Sequence, residues 1–130
     1  MRISEIFDDL RRIALNEFGD MVASAEVEAL PTGDPRKLRL HLIDDTFVDI
    51  FLSVSGRYSY HWQRTAESGD ELYRHDNAPH TAWRSISTYP KHFHEGSQQN
   101  VVASHLNDQP SEALREFCAF VRHKLRQEAG

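Results

Sequence analysis

The stretch that most limits how this chain can fold is residues 37–54. Leu38, Leu40 and Leu42 alternate with Arg39, His41 and Ile43; after Asp44-Asp45-Thr46, the residues Val48, Ile50, Leu52 and Val54 alternate with Phe47, Asp49, Phe51 and Ser53. Side chains on a strand point to opposite faces in turn, so this pattern predicts an antiparallel hairpin with one greasy face. A face of that kind must be covered by a second layer. The chain offers a cover near each end. Ile3, Ile6, Phe7, Leu10, Ile13 and Ala14 step by three and four, which predicts a helix over residues 4–16, capped by Ser4 and ended near Phe18-Gly19, where glycine can take a left-handed conformation. After Asp108-Gln109-Pro110, Ser111 is placed to cap a second helix to about residue 127, with Leu114, Phe117, Cys118, Val121 and Leu125 on one side.

The other segments fill in the sheet. Residues 20–30 predict a first strand, and PTGDP at 31–35 a turn. Residues 58–64 predict a strand with Tyr58, Tyr60 and Trp62 on one face and Ser59, His61 and Gln63 on the other. ESGD at 67–70 reads as a turn, with residues 71–76 returning as the partner strand. Centring that hairpin on Ser68 puts His61 opposite His75, and a slip of one residue scatters the set. Asn77-Ala78-Pro79 ends the strand. Residues 80–96, aromatic, polar and broken by proline, predict an ordered loop, and residues 100–104 a short strand. The expected fold is therefore α+β: an antiparallel sheet of about four to six strands with an N-terminal and a C-terminal helix packed on it, forming one domain over residues 1–130.

Charge and composition narrow the functional classes. The net charge of −5 comes wholly from residues 1–34, which hold eight acids against three bases; the rest of the chain holds twelve of each. That balance allows an acidic partner or RNA without demanding either. Arg115, Arg122 and Arg126 share a stripe of the second helix, a solvated face or helix-end complement more readily than a phosphate contact. A single cysteine, Cys118, excludes an internal disulfide and fits a reducing compartment. No stretch approaches the roughly 20 apolar residues of a membrane span, and MRISEIFDDLRR carries acids where a signal peptide is apolar. The expectation is a soluble, cytoplasmic protein with no membrane partner; a homodimer is compatible with all of this.

The chemistry is concentrated in residues 58–95, which contain five of the eight histidines: His61, His75, His80, His92 and His94. No GxxxxGK[ST], GxSxG or HExxH motif and no zinc-type cysteine pair is present. Cleavage of RNA by its own 2'-hydroxyl needs a base, an acid and a cation for the phosphorane. His80, His92 and His94, flanked by Lys91, Asp76 and Asn77, form the candidate catalytic set, acting without metal or cofactor. Tyr60, His61, Trp62, His75 and Trp83 form the candidate substrate-binding set, with aromatic rings available to stack on unpaired bases. Two other readings stand beside this one. In the first, the same residues are structural: Tyr58, Tyr60 and Trp62 as core, His61 and His75 as half-buried sheet residues, Asp76, Asn77, Ser87 and Thr88 as turn fasteners, and His41, His105 and His123 as isolated histidines. In the second, His92-x-His94 with His75, His80 and Asp76 binds zinc or a similar cation.

At these residues the chain resembles the TumE family, small prokaryotic proteins known as the toxin half of toxin-antitoxin pairs. The resemblance lies in YSYHWQ at 58–63, DNAPH at 76–80, YPKHFHEG at 89–96 and NVVAS at 100–104, and extends from about Lys37 onward. Its motif residues fall on Tyr60, His61, Trp62, Asp76, Asn77, His80, Pro90, His92, His94 and Gly96. In the family pattern DNAPH is followed by a second histidine, and here Thr81 stands in that place. The resemblance implies a toxin with a cognate antitoxin, often a helix-turn-helix protein encoded alongside. Ribonuclease action is an inference from the residues; the alternative is a non-catalytic module that sequesters protein or nucleic acid, with a metal-binding domain third.

Overall fold

A computed structural model describes residues 2–66 and 69–129. Seven strands form one antiparallel sheet in simple chain order: β1 (Val22–Ala29), β2 (Pro35–Leu42), β3 (Phe47–Leu52), β4 (Tyr58–Ala66), β5 (Gly69–Asp76), β6 (His92–Glu95) and β7 (Val101–Ala103). The helices α1 (Ile3–Glu17) and α2 (Pro110–Ala129) cover one face. No helix among the described residues is long and apolar enough to cross a membrane.

The alternation resolves as expected from Leu38 to Leu52, while Val54, expected on the same face, lies beyond the end of β3 and is 95% exposed. Leu38, Leu40, Leu42, Val48 and Ile50 are buried against Phe7, Leu10 and Ala14 of α1 and Leu114, Phe117, Cys118 and Val121 of α2. Tyr60 and Trp62 continue this layer on β4, and Tyr73, His75 and Phe93 continue it on β5 and β6 through edge contacts with Phe117 and Phe120. The turn between β2 and β3 works through Asp44, whose carboxylate accepts from the Thr46 N–H, with Asp45 in the left-handed region at φ 69°.

Several local expectations change. Ser4 lies inside α1 and Arg2 stands at its start without a side-chain cap. Gly19 is not left-handed; a Cβ there would come within 2.7 Å of the Leu15 carbonyl, so close approach is what requires glycine. In α2 the capping acceptor is Gln109, which receives the Glu112 N–H and the Ser111 hydroxyl, with Pro110 in the first turn where its missing N–H costs nothing. The arginine stripe of α2 holds α1: Arg115 pairs with Glu17, and Arg122 and Arg126 with Asp20. Part of the acidic excess of the first segment is thereby used.

Two differences bear on the site. The expected loop at 80–96 contains a real strand, β6, which is why the sheet exceeds the expected count. The β4–β5 hairpin also runs one residue out from the expected register. Ala66 pairs with Gly69, so His61 faces Arg74 and Tyr60 faces His75; of the turn expected at 67–70, Gly69 and Asp70 belong to β5, and Glu67 and Ser68 lie outside the described residues.

Candidate functional site

The slip sorts the histidines by face. His75 belongs to the helix side, its ring stacked on Phe93 at 4.1 Å and its Nδ1 bonded to the Ser104 hydroxyl. Burial, aided by the Lys91 charge, pushes its pKa down to about 4, so it is a neutral core residue near neutral pH. The opposite face carries a row of polar side chains in register across six strands: Glu26, Arg39, Asp49, His61, Arg74 and His94. Arg39 makes a two-pronged pair with Asp49 at 2.8 and 2.9 Å, with Lys37 at 3.2 Å. His61 takes the next place, accepting at Nδ1 from Arg74 and donating from Nε2 to Gln63, with burial and Arg74 lowering its pKa.

Asp49 supplies a check on this row. Burial alone raises its pKa, but hydrogen bonds and charge from Arg39 and Lys37 overcome that, and the net shift is downward. A carboxylate with a depressed folded pKa stabilises above the unfolded value near 4 and loses that contribution as pH falls through the folded value. Asp49→Asn is therefore expected to cost about 1–2 kcal/mol at pH 7, with the gap to wild type closing in urea melts below about pH 4. A gap independent of pH would mean that the carboxylate charge contributes nothing.

The next row holds the candidate site. Asp76, the last residue of β5, lies opposite His92 of β6, and His94 is opposite Arg74, diagonal to Asp76. His92 and His94 are only 2% and 1% exposed. Each ring is fixed by a main-chain carbonyl: His92 Nδ1 bonds Pro90 O and His94 Nδ1 bonds Gln98 O, both at 2.9 Å. A carbonyl only accepts, so both Nδ1 atoms carry hydrogen and both Nε2 atoms turn towards Asp76. His92 Nε2 is 3.1 Å from Asp76 Oδ1; His94 Nε2 is 3.8 Å from Oδ2, beyond hydrogen-bond reach. The carboxylate is itself held by the Ala78 N–H at Oδ1 and by Arg74 Nε at Oδ2, both at 3.0 Å. Burial, followed by the opposing effect of the Gln98 bond, leaves the His94 pKa lowered. Asp76, His92 and His94 offer three ligand atoms within 4.8 Å of one another, a set that fits a metal ion.

Trp83 roofs the cluster, its ring centroid 6.1 Å from His92 and 5.9 Å from His94. It ends a single 3-10 turn, Thr81–Trp83, which His80 caps by accepting the Ala82 N–H at Nδ1. His80 is exposed, its ring centroid 6.0 Å from that of the indole. Thr81, the position that departs from the family pattern, is exposed in this turn.

The remaining expected site residues lie elsewhere. Lys91 projects to the helix side, with its ammonium on Leu106 O at 2.6 Å and Asp108 at 3.0 Å. Asn77 accepts the Tyr58 N–H and donates to Gly56 O, stitching the end of β5 to the β3–β4 turn. Tyr60 and Trp62 are 2% and 0% exposed on the covered face, where no base can reach them. The sequence reading missed Arg74, the cation that touches Asp76, His61 and Gln98. Its spacing from Asp76, two residues along one strand, was the available signal.

A protein-family model described as Toxin TumE matches residues 9–125, most of the chain. No curated protein and no solved structure matches.

Proposed function

This protein belongs to the TumE toxin family, and on that premise we propose that it is the toxin of a toxin-antitoxin pair, acting in the cytoplasm on RNA through the Asp76–His92–His94 cluster. What carries the reading is the pair of carbonyl bonds that turn both Nε2 atoms inward. His92, bonded to a carboxylate, holds a proton and gives it to the departing 5'-oxygen. His94, whose Nε2 has no hydrogen-bond partner at Asp76, takes the proton of the attacking 2'-hydroxyl. The new P–O2' bond forms as the P–O5' bond breaks, leaving a 2',3'-cyclic phosphate. Arg74 replaces Lys91 as the cation that meets the phosphorane charge. For a strand to reach the rings the turn at Thr81–Trp83 must lift, after which Trp83 is free to stack on a base and His80 stands at the rim. Asn77 and Lys91 hold the frame.

The test is toxin freed of antitoxin, incubated with a defined RNA in excess chelator. Cleavage with cyclic-phosphate ends is expected in wild type, reduced at least about 100-fold in His94→Ala and His92→Ala. A folded wild type that cleaves no RNA refutes the catalytic reading. The second reading is then the binding module, favoured by the burial of both imidazoles and by the uncovered sheet face, where Phe51 is 44% exposed and Arg39 stacks on Phe47 at 3.9 Å. Such a module inhibits in proportion to its amount, without turnover.

A further inference from the structure

We propose that Asp76, His92 and His94 also bind one borderline divalent cation of the zinc, cobalt or nickel class, through a carboxylate oxygen and two Nε2 atoms, and that the bound ion silences the site. The binding stands on geometry alone; the silencing rests on the proton-transfer reading above.

The donor set is the first ground. Two imidazole nitrogens and one carboxylate suit zinc-like ions, whereas magnesium and calcium ask for more oxygen donors than this cluster has. Geometry is the second. In a tetrahedral site with bonds of about 2.0–2.1 Å, neighbouring donors sit about 3.3 Å apart. Here His92 Nε2 lies 3.1 Å from Asp76 Oδ1, His94 Nε2 lies 3.8 Å from Oδ2, and one donor atom from each residue falls within 4.8 Å of the others, so a contraction of the side chains, with His94 moving the farther, closes the site.

The third ground is the surrounding shell. A ligating histidine characteristically donates its other N–H to a carbonyl or carboxylate, which fixes the tautomer and raises the basicity of the ligating nitrogen. Both rings have this arrangement already, through Pro90 O and Gln98 O. The carboxylate is oriented as well, by Arg74 and the Ala78 N–H. Arg74 opposes a cation by its charge, but it sits on Oδ2 and leaves Oδ1, the oxygen facing His92, as the natural ligand. The wider donor set allowed by the sequence contracts accordingly: His75 is on the other face, and the Nδ1 of His80 is committed to its turn.

Coordination uses the same lone pairs that proton transfer needs. An ion on His94 Nε2 removes the base, and one on His92 Nε2 displaces the acid's proton. A cation of the right class is therefore expected to switch the toxin off, and a chelator to restore it.

The experiment uses untagged full-length protein stripped of metal, titrated with cobalt(II) and followed by visible absorption, then with zinc by calorimetry. One ion per chain is expected, with tetrahedral-type cobalt bands. His94→Ala and Asp76→Ala should weaken binding at least about 30-fold, while His105→Ala, an exposed histidine outside the three-residue cluster, should bind as wild type. Circular dichroism checks folding, and His94→Gln, which preserves bulk, repeats the test if the alanine variant unfolds. Absence of stoichiometric binding, or binding that His94→Gln and His105→Ala leave equally intact, overturns the proposal. Binding without any ribonuclease activity upholds the site and removes only the proton-transfer reading; RNA cleavage that zinc leaves untouched removes the silencing.

Discussion

Trp62→Ala is expected to lower stability by about 3–5 kcal/mol, the range for deleting a fully buried aromatic ring. Trp62 has no exposed surface and sits at the centre of the covered face, between Val48 and Tyr73 in register. Its Nε1–H donates to the Thr46 hydroxyl at 2.8 Å, tying β4 to the β2–β3 turn, and the Arg64 guanidinium lies over the ring at 4.4 Å. The expected readout is a large fall in melting temperature and in the urea midpoint, with growth inhibition lost because little folded toxin remains. Trp62→Phe keeps most of the packing and loses the hydrogen bond, so a cost of about 1–2 kcal/mol is expected. A Trp62→Ala protein that melts like wild type yet fails to inhibit growth would return Trp62 to the binding surface and contradict its place in the core.

Asp76→Ala is expected to have the largest effect on function, at least about a 100-fold loss of toxic activity. One carboxylate meets the Arg74 guanidinium, the Ala78 N–H and His92 Nε2. Its removal leaves the half-buried Arg74 cation without its counter-charge and the buried His92 Nε2 without its partner, at a cost of about 3 kcal/mol for breaking such a pair. Asp76→Asn separates the two consequences. Its amide oxygen, in the Oδ1 place, can still receive the Ala78 N–H and face His92 Nε2, so the strand end and turn are kept, but the charge is gone and the NH2 group in the Oδ2 place cannot accept from Arg74. Expression of each variant under an inducible promoter, with melts on the purified proteins, gives the comparison. An Asn variant that is nearly as stable as wild type and no longer toxic locates the role in the charge. One that is stable and fully toxic removes Asp76 from the mechanism.

The parts of the fold legible in the sequence were those where a period repeats. Leu38 to Val48 announced a hairpin because the alternation runs long enough to exclude a helix, and the two helices followed from their three-and-four spacing. What failed was decided by single residues or short pieces. Four residues, His92 to Glu95, are too few to show alternation, so a strand passed as loop. The β4–β5 register hung on a slip of one residue, which alone decides whether His61 faces His75 or Arg74. The site was legible by composition more than by geometry. His92, His94 and Asp76 meet, while Lys91, just before β6, reaches instead to Leu106 O and Asp108.

The sheet's plain order has one further consequence. Each strand pairs with the strand made just before or just after it, so a growing chain can zip up as it leaves the ribosome, with local contacts and little loop entropy to overcome. The helix that closes the structure is made after all seven strands, and its Arg115 reaches back 98 residues to Glu17. A nascent chain that has laid down β5 and β6 but not yet α2 is thus a sheet with Leu38, Leu40 and Trp62 only partly covered, the kind of species that aggregates or is captured by chaperones. Translational stalling before α2 is expected to yield insoluble material, with a functional toxin appearing only once that last helix has been synthesised.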